Sequence, residues 1–513
     1  MSLSHWLTAA LFFMGGSSAF AQDQALDVAD EPLVFIVEPD RVQARIDQIA
    51  IETGMPSISI AAAHGDSAIW AYATGLADKE EGRNATPETA YRLASVSKPI
   101  TAVAIMVLAD RGVIDLDRPA NDYLGDQKIV ALAGSADDVT VRRLLSHRGG
   151  LPLHYNLIHE SEDYERRALD ETIALYGQAM LPPGLTHRYS NVGYAALERI
   201  IEVQSGMPFD RFLEETFFTP LDMTSAGVVT APVHPEGAAI PYTHSGDRYA
   251  AYDMDTRGAG GVYMSASDLV RFGRFFSDAL DGRSELLSRD ASWEMLETQH
   301  EADEGRLEWY VLGWVHELRG EDRQYGTIYH LGSTPGVRAE LWIYPDADLV
   351  IATLVNEQSY RPLSRAREAV IEGVLPQISY RPYASSTPYE DFDIPADLQA
   401  EWRGRASFGP DGAALVEFDF RDPLTPTVRV DGQGVHISRI ARNADGMVTV
   451  TTSSAPVPTE DAARQPYELG FLLHHDDARL QGYVSTNRIA TRNRDSGNFA
   501  YPVLLERLAE DAR

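Results

Sequence analysis

The chain of 513 residues contains no cysteine and only three lysines, Lys79, Lys98 and Lys128. The missing cysteines exclude disulfides, thiolate nucleophiles and Cys-based zinc sites together. No stretch approaches 18 consecutive apolar residues, so nothing reads as a membrane-spanning helix. Positive charge is scarce too: 44 basic residues face 76 acidic ones, a formal net charge of −32. A surface this acidic repels phosphate backbones and anionic lipid, which argues against nucleic acid as a partner and against membrane insertion. Neither H-E-x-x-H nor G-x-S-x-G occurs, which removes a zincin site and the nucleophile elbow of an α/β-hydrolase. What is present can build large cores: 44% hydrophobic residues and 9% aromatics exclude a disordered chain. Arginine supplies 41 of the 44 cations (44 − 3). A lysine kept in such a chain marks a place where a releasable proton matters, because arginine cannot give its proton up.

Residues 1–21 read as a signal peptide. Trp6–Met14 is a short apolar run, Gly15–Ser18 a small polar stretch, and Ala19-Phe20-Ala21 an A-x-A cleavage site. The run is too short to cross a bilayer and no cysteine follows it for lipid attachment, so a soluble protein, periplasmic or secreted, is expected. Asp40–Ile51 then has helical periodicity, with Val42, Ile46, Ile49 and Ala50 on one face and Asp40 as N-cap. Strands at Ser57–Ala63 and Ala68–Thr74 flank a turn at His64-Gly65-Asp66. Helical patterns fill the middle: Val96–Arg111, Thr140–Ser146, Asp163–Tyr176, Val192–Gln204, Asp210–Thr216 and Ser267–Ala279. Strands return at Gly326–Leu331, Val337–Tyr344 and Leu349–Asn356, before a helix at Ser364–Val374. This order predicts an α/β (α+β) domain over 22–379, with one antiparallel sheet assembled from both ends and flanked by helices. Residues 380–397, with Pro382, Pro388 and Pro395, read as a linker. Short β-patterned runs separated by turns occupy 398–513, which predicts a C-terminal antiparallel β-barrel or sandwich domain.

Three motifs carry the chemistry. Ser95-Val96-Ser97-Lys98 opens an apolar helix, and the i, i+3 spacing puts the serine hydroxyl and the lysine ammonium on one face. A serine needs a base to become a nucleophile, and burial turns lysine into one. Tyr189-Ser190-Asn191 precedes another helix; a phenol relays protons, and an amide holds both a lysine and a substrate carbonyl. His330-Leu331-Gly332 lies on the first late strand, where glycine admits a close substrate backbone. The amide of the next residue, Ser333, together with that of Ser95, makes an oxyanion hole.

In these motifs, in this order and spacing, the chain resembles the serine β-lactamase and penicillin-recognising hydrolase superfamily, in its class C branch. That branch also holds D-Ala-D-Ala carboxypeptidases, D-aminopeptidases and esterases with the β-lactamase fold. The resemblance spans about residues 35–378. It includes the stretches Leu144 to Pro152, Pro220-Leu221-Asp222-Met223 and Gly258-Ala259-Gly260-Gly261. It implies a β-lactamase/transpeptidase-like fold and acyl transfer without cofactor or metal: Ser95 attacks, Lys98 and Tyr189 share general-base work, and water releases the acyl-enzyme. Asn191, His330, Gly332 and Ser333 would bind substrate. The family strand carries Lys-Thr-Gly; here His330 replaces the lysine and Leu331 the hydroxyl residue. An ester or amide lacking a free carboxylate therefore suits the site better than a β-lactam.

The resulting expectation is an exported serine hydrolase, esterase or peptidase-like, acting on a small-molecule or peptide substrate. The alternatives are a β-lactamase or D-Ala-D-Ala carboxypeptidase, and a penicillin-binding or scaffold protein without turnover. His147 reads as structural, Tyr155 and Trp314 as core residues, and Arg338 as a surface strand residue. His474 and His475 read as a turn entrance, because adjacent strand residues face opposite ways. No oligomeric state is legible.

Overall fold

The computed structural model describes residues 38–160, 167–297, 299, 308–318, 326–374, 394–408, 412–442, 446–455, 457, 467–476, 478–488 and 497–508. The expected leader (1–21), residues 380–393 of the expected linker and the first residues of the helix expected from Asp163 lie outside them.

Helix α1 (Pro39–Thr53) leads into the hairpin β1 (Ser57–His64) and β2 (Trp70–Asp78). Asp40 is not the cap: Pro39 opens the helix, and Asp40 sits in its first turn. Proline suits that position because its missing N–H has no intrahelical acceptor there. The middle of the chain holds α2 (Ser97–Asp110), a short strand β3 (Tyr155–His159), α3 (Asn191–Ser205), β4 (Tyr252–Met254) and α4 (Ala266–Leu280). Five strands follow: β5 (Glu308–Tyr310), β6 (Val315–Leu318), β7 (Gly326–Thr334), β8 (Val337–Tyr344) and β9 (Leu349–Val355), then α5 (Arg361–Val374).

The main sheet has the order β5-β6-β7-β8-β9-β1-β2, with the two-residue strand Arg83–Asn84 on its edge. Every pairing is antiparallel, and β9 meets β1 in the register Ile58↔Val355 to His64↔Leu349. The sheet is thus assembled from both ends of the domain. The two ends also share a cap, because α1 packs on α5 over one face. Val42, Ile46, Ile49 and Ala50 are the buried stripe of α1. The other face receives α4, started by Ser265, whose Oγ accepts the Asp268 amide at 3.2 Å. Helix α2 lies deeper: every residue from Ser97 to Leu108 is buried. Each large apolar side chain there contributes about 1.5–3 kcal/mol by burial.

The C-terminal strands are β10 (Glu401–Ser407), β11 (Ala413–Asp419), β12 (Thr427–Val430), β13 (Gln433–Val435), β14 (Ile437–Arg442), β15 (Val448–Ala455), β16 (Tyr467–Asp476), β17 (Arg479–Arg488) and β18 (Gly497–Arg507). They form an antiparallel, nearly closed barrel-like sheet in the order β13-β12-β11-β10-β18-β17-β16-β15-β14. Trp402, Phe418 and Phe471 fill it. His474 and His475 lie at the end of β16, at the entrance to the turn into β17, and His475 Nδ1 is 3.2 Å from Asp397 Oδ2. Among the described residues no His, Asp and Glu side chains converge as a metal site, and no helix is long and apolar enough to cross a membrane.

The barrel sheet does not end at its own strands. The start of β18 pairs with β3 (Gly497↔Asn156, Asn498↔Tyr155), and β3 pairs in turn with β4.

Candidate active site

Between residues 91 and 100 only Ser95 is partly exposed; the rest are buried. Ala94 has φ +49°, a left-handed conformation that L-residues seldom adopt. It begins a single 3₁₀ turn, Ala94–Val96, and α2 starts directly after it. The turn is clamped against β7, since a Cβ on Gly332 would sit 2.2 Å from the Leu93 carbonyl oxygen. The sequence reading placed Gly332 beside a substrate backbone. Its close neighbour is the chain's own backbone, and it is not on the wall of the cavity beside Ser95.

Lys98 is 0 % exposed. Its Nζ donates to Asn191 Oδ1 at 2.8 Å and to the Ala259 carbonyl at 2.9 Å, and lies 3.4 Å from Ser95 Oγ. Desolvation holds its pKa well below the usual lysine value. A neutral amine has two hydrogens and one lone pair. In that form both hydrogens go to the oxygen acceptors and the lone pair faces Ser95, whereas the ammonium form donates to Ser95 Oγ as well.

Ser190 caps α3 by accepting the Gly193 amide at 2.9 Å, which places Tyr189 and Asn191 on either side of the helix start. His147 holds the same corner. Its Nδ1 accepts the Ser190 amide at 3.1 Å, and its ring centroid is 4.3 Å from that of Tyr189. Asn191 Nδ2 donates to the His154 carbonyl at 3.0 Å, which turns Oδ1 toward Lys98. The Tyr189 ring lies 4.5 Å from Lys98 Nζ. Burial pushes the Tyr189 phenol above its ordinary pKa, against the pull of a hydrogen bond with Ser95.

His330 is 3 % exposed and lies behind the cavity wall, not on it. Its Nδ1 donates to the Leu331 carbonyl at 2.8 Å, so Nε2 accepts from the Tyr310 hydroxyl at 3.2 Å. Burial, reinforced by the charge of Lys98, pushes its pKa down to about 3. The position of the family's lysine is therefore neutral. Leu331 faces the opposite way, packed with the cluster under α1 and α5 that includes Trp342 and Tyr344.

A cavity of about 280 Å³ opens at Ser95, and Tyr189, Asn191 and Ser333 line it with that serine. Among the described residues, no Asp, Glu, Lys or Arg is on its wall. Arg338 is half-buried and engaged elsewhere: its Nη1 donates to the Val337 carbonyl at 2.7 Å, and its guanidinium lies 4.9 Å from the Tyr360 ring centre. Tyr155 is on the cavity wall, whereas Trp314 is core, packed against Phe272 and Phe276. The sequence reading did not single out Tyr310 or the acceptor role of Ala259. Tyr310 sits on a three-residue strand without periodicity. Ala259 acts through its backbone, and the only trace was the small-residue run around it. Gly258 in that run is required, because a Cβ there would meet Glu198 Cβ at 2.9 Å.

Comparison with known proteins identifies the family and the fold. Penicillin-binding protein 4 of Amycolatopsis lactamdurans is 30% identical over 61% of this chain and 84% of its own. Esterase EstB of Burkholderia gladioli is 31% identical over 42% of this chain and 58% of its own. The crystal structure of SurE with D-Leu superposes with a TM-score of 0.59 at 22% identity, covering 91% of this chain and 99% of that one, which extends the likeness of fold to the C-terminal barrel. The Beta-lactamase family model matches residues 42–375, and the chain belongs to that family of serine β-lactamase-fold hydrolases.

Proposed function

We propose that the protein is an exported hydrolase, periplasmic or secreted, that cleaves an ester or amide lacking a free carboxylate through an acyl-enzyme on Ser95. The observation that carries this is Lys98, buried, held by two neutral acceptors and 3.4 Å from Ser95 Oγ. In this reading Lys98 takes the Ser95 proton as Oγ bonds to the acyl carbon. Burial moves the two candidate bases apart, Lys98 down and Tyr189 up. Lys98 is thus the acceptor, and Tyr189 the relay that carries a proton to the leaving group. The amides of Ser95 and Ser333 receive the oxyanion, and water then attacks the acyl-enzyme to release the acid. The neutral His330 and the uncharged cavity wall support a substrate without a carboxylate. The esterase relative is consistent with that class.

A second reading, acylation by penicillin without turnover, draws on the penicillin-binding relative. Intact mass after incubation with a fluorophosphonate and, separately, with a penicillin distinguishes the two. A fluorophosphonate adduct with no stable penicillin adduct is expected. A lasting penicillin adduct selects the second reading, and no adduct with either on folded protein ends both. Ser95→Ala abolishes labelling. Lys98→Arg lowers its rate by about 10²–10⁴-fold, since the charge survives and the base does not.

A further inference from the structure

The cavity wall is shared between the two halves of the molecule. Tyr155 and Leu157, two residues apart on β3, lie on one side of the strand and both line the cavity. Met254, the β4 partner of Leu157, lines it too. These side chains pack into one small cluster with Tyr252. The two-stranded ribbon that carries them extends the barrel sheet, because the other edge of β3 is hydrogen-bonded to β18 at Gly497 and Asn498.

The contact continues through side chains. Phe499, 1 % exposed, lies edge-on to His154 at 5.8 Å and tilted against Tyr176 at 6.0 Å between ring centres. His154 stacks on Tyr176 at 4.0 Å, and its Nε2 is 2.8 Å from Asp255 Oδ2. Asp255 Oδ1 accepts the Asn156 amide at 3.2 Å, so one carboxylate ties β3 to the residue after β4. The backbone carbonyl of His154 holds Asn191. A residue of the barrel domain thus reaches the catalytic asparagine and the cavity ribbon through a single buried histidine.

From this we infer that the C-terminal domain is a working half of the acyl pocket. Through β18 and Phe499 it sets the position of the Tyr155–Leu157–Met254 wall, and that wall selects an uncharged, apolar acyl group. Phe499 is a positioning residue; Tyr155, Leu157 and Met254 are the specificity residues. The inference rests on the acyl-enzyme reading for the word acyl, but its test is a binding measurement that needs no turnover.

The test uses the full chain carrying Ser95→Ala, titrated calorimetrically with acetyl, hexanoyl and succinyl anilides. Four added methylenes entering an apolar wall are expected to make hexanoyl bind at least tenfold tighter than acetyl. The charged succinyl group should bind at least tenfold weaker than hexanoyl. Adding Tyr155→Ala or Phe499→Ala should bring the hexanoyl-to-acetyl ratio to within about threefold. Phe499→Leu, a milder change that keeps bulk without the flat ring, should fall between. A ratio unchanged in folded Phe499→Ala or Phe499→Leu protein overturns the role of the C-terminal domain. Equal affinity for acetyl and hexanoyl with the wall intact, or no binding, overturns the pocket assignment. Failure of Ser95 as nucleophile would appear separately, in the fluorophosphonate mass experiment on the unsubstituted protein.

Discussion

Lys98 is the residue at which catalysis and stability pull in opposite directions. Folding takes an ammonium out of water and buries it at the start of helix α2 against Asn191 and Ala259, and in the proposed mechanism its lowered pKa supplies the base. The sign of the stability effect follows. The unfolded chain holds this lysine protonated up to about pH 10.4, whereas the folded state releases the proton at lower pH. The cost of burial is therefore complete below the folded pKa, shrinks as pH rises between the two values, and is gone above the unfolded one. Lys98→Met should raise the stability of the protein at pH 7 by about 1–3 kcal/mol while abolishing acylation. Thermal melts at pH 7, 9 and 10.5 check this, and the advantage should fade along that series. The scarcity of lysine elsewhere gave this residue away in the sequence. The neutrality of His330 could not be seen there, because it depends on burial and on Lys98, which is distant in the chain.

At the level of elements, the serine turn works because a helix start, a strained turn and a strand edge are locked together. Gly332 is where they touch. Gly332→Ala forces either the Ala94–Val96 turn or β7 to move, since its Cβ would overlap the Leu93 oxygen. A destabilisation of about 1–3 kcal/mol is expected from that overlap, with a fall in fluorophosphonate labelling rate measured on protein still folded. Most elements were visible from pattern alone. Helix α1 shows its buried stripe, β8 falls at Val337–Tyr344 as read, and the barrel strands are spaced by turns. The exceptions share a cause. Strands β3, β4 and β5 are only five, three and three residues long, and the partners of β3 and β4 lie far away in the chain. Nothing local marks Tyr155–His159 as a strand; it becomes one because β18, some 340 residues later, offers it an edge. The same distance explains why Leu157 and Met254 were not read as wall residues.

For the whole molecule, the apolar core is continuous: one buried cluster runs from β1 and α2 to Trp402, Phe471 and Leu505 in the barrel. Cutting the chain after Val374 would strip Tyr176 and His154 of their ring contacts with Phe499 and Tyr501. The truncated protein should melt at least roughly 5 °C lower than the full chain, or aggregate, when the two are compared by calorimetry. The closing of the main sheet by both ends of the domain also has a consequence in time. Ile58 cannot find Val355 until the 297 residues that follow it, up to and including Val355, have been made. At ordinary synthesis rates that is roughly 15–60 s during which the central strands lack their partners. Such a chain folds late and as a unit, and its nucleophile stays unassembled until synthesis is well past the middle of the molecule.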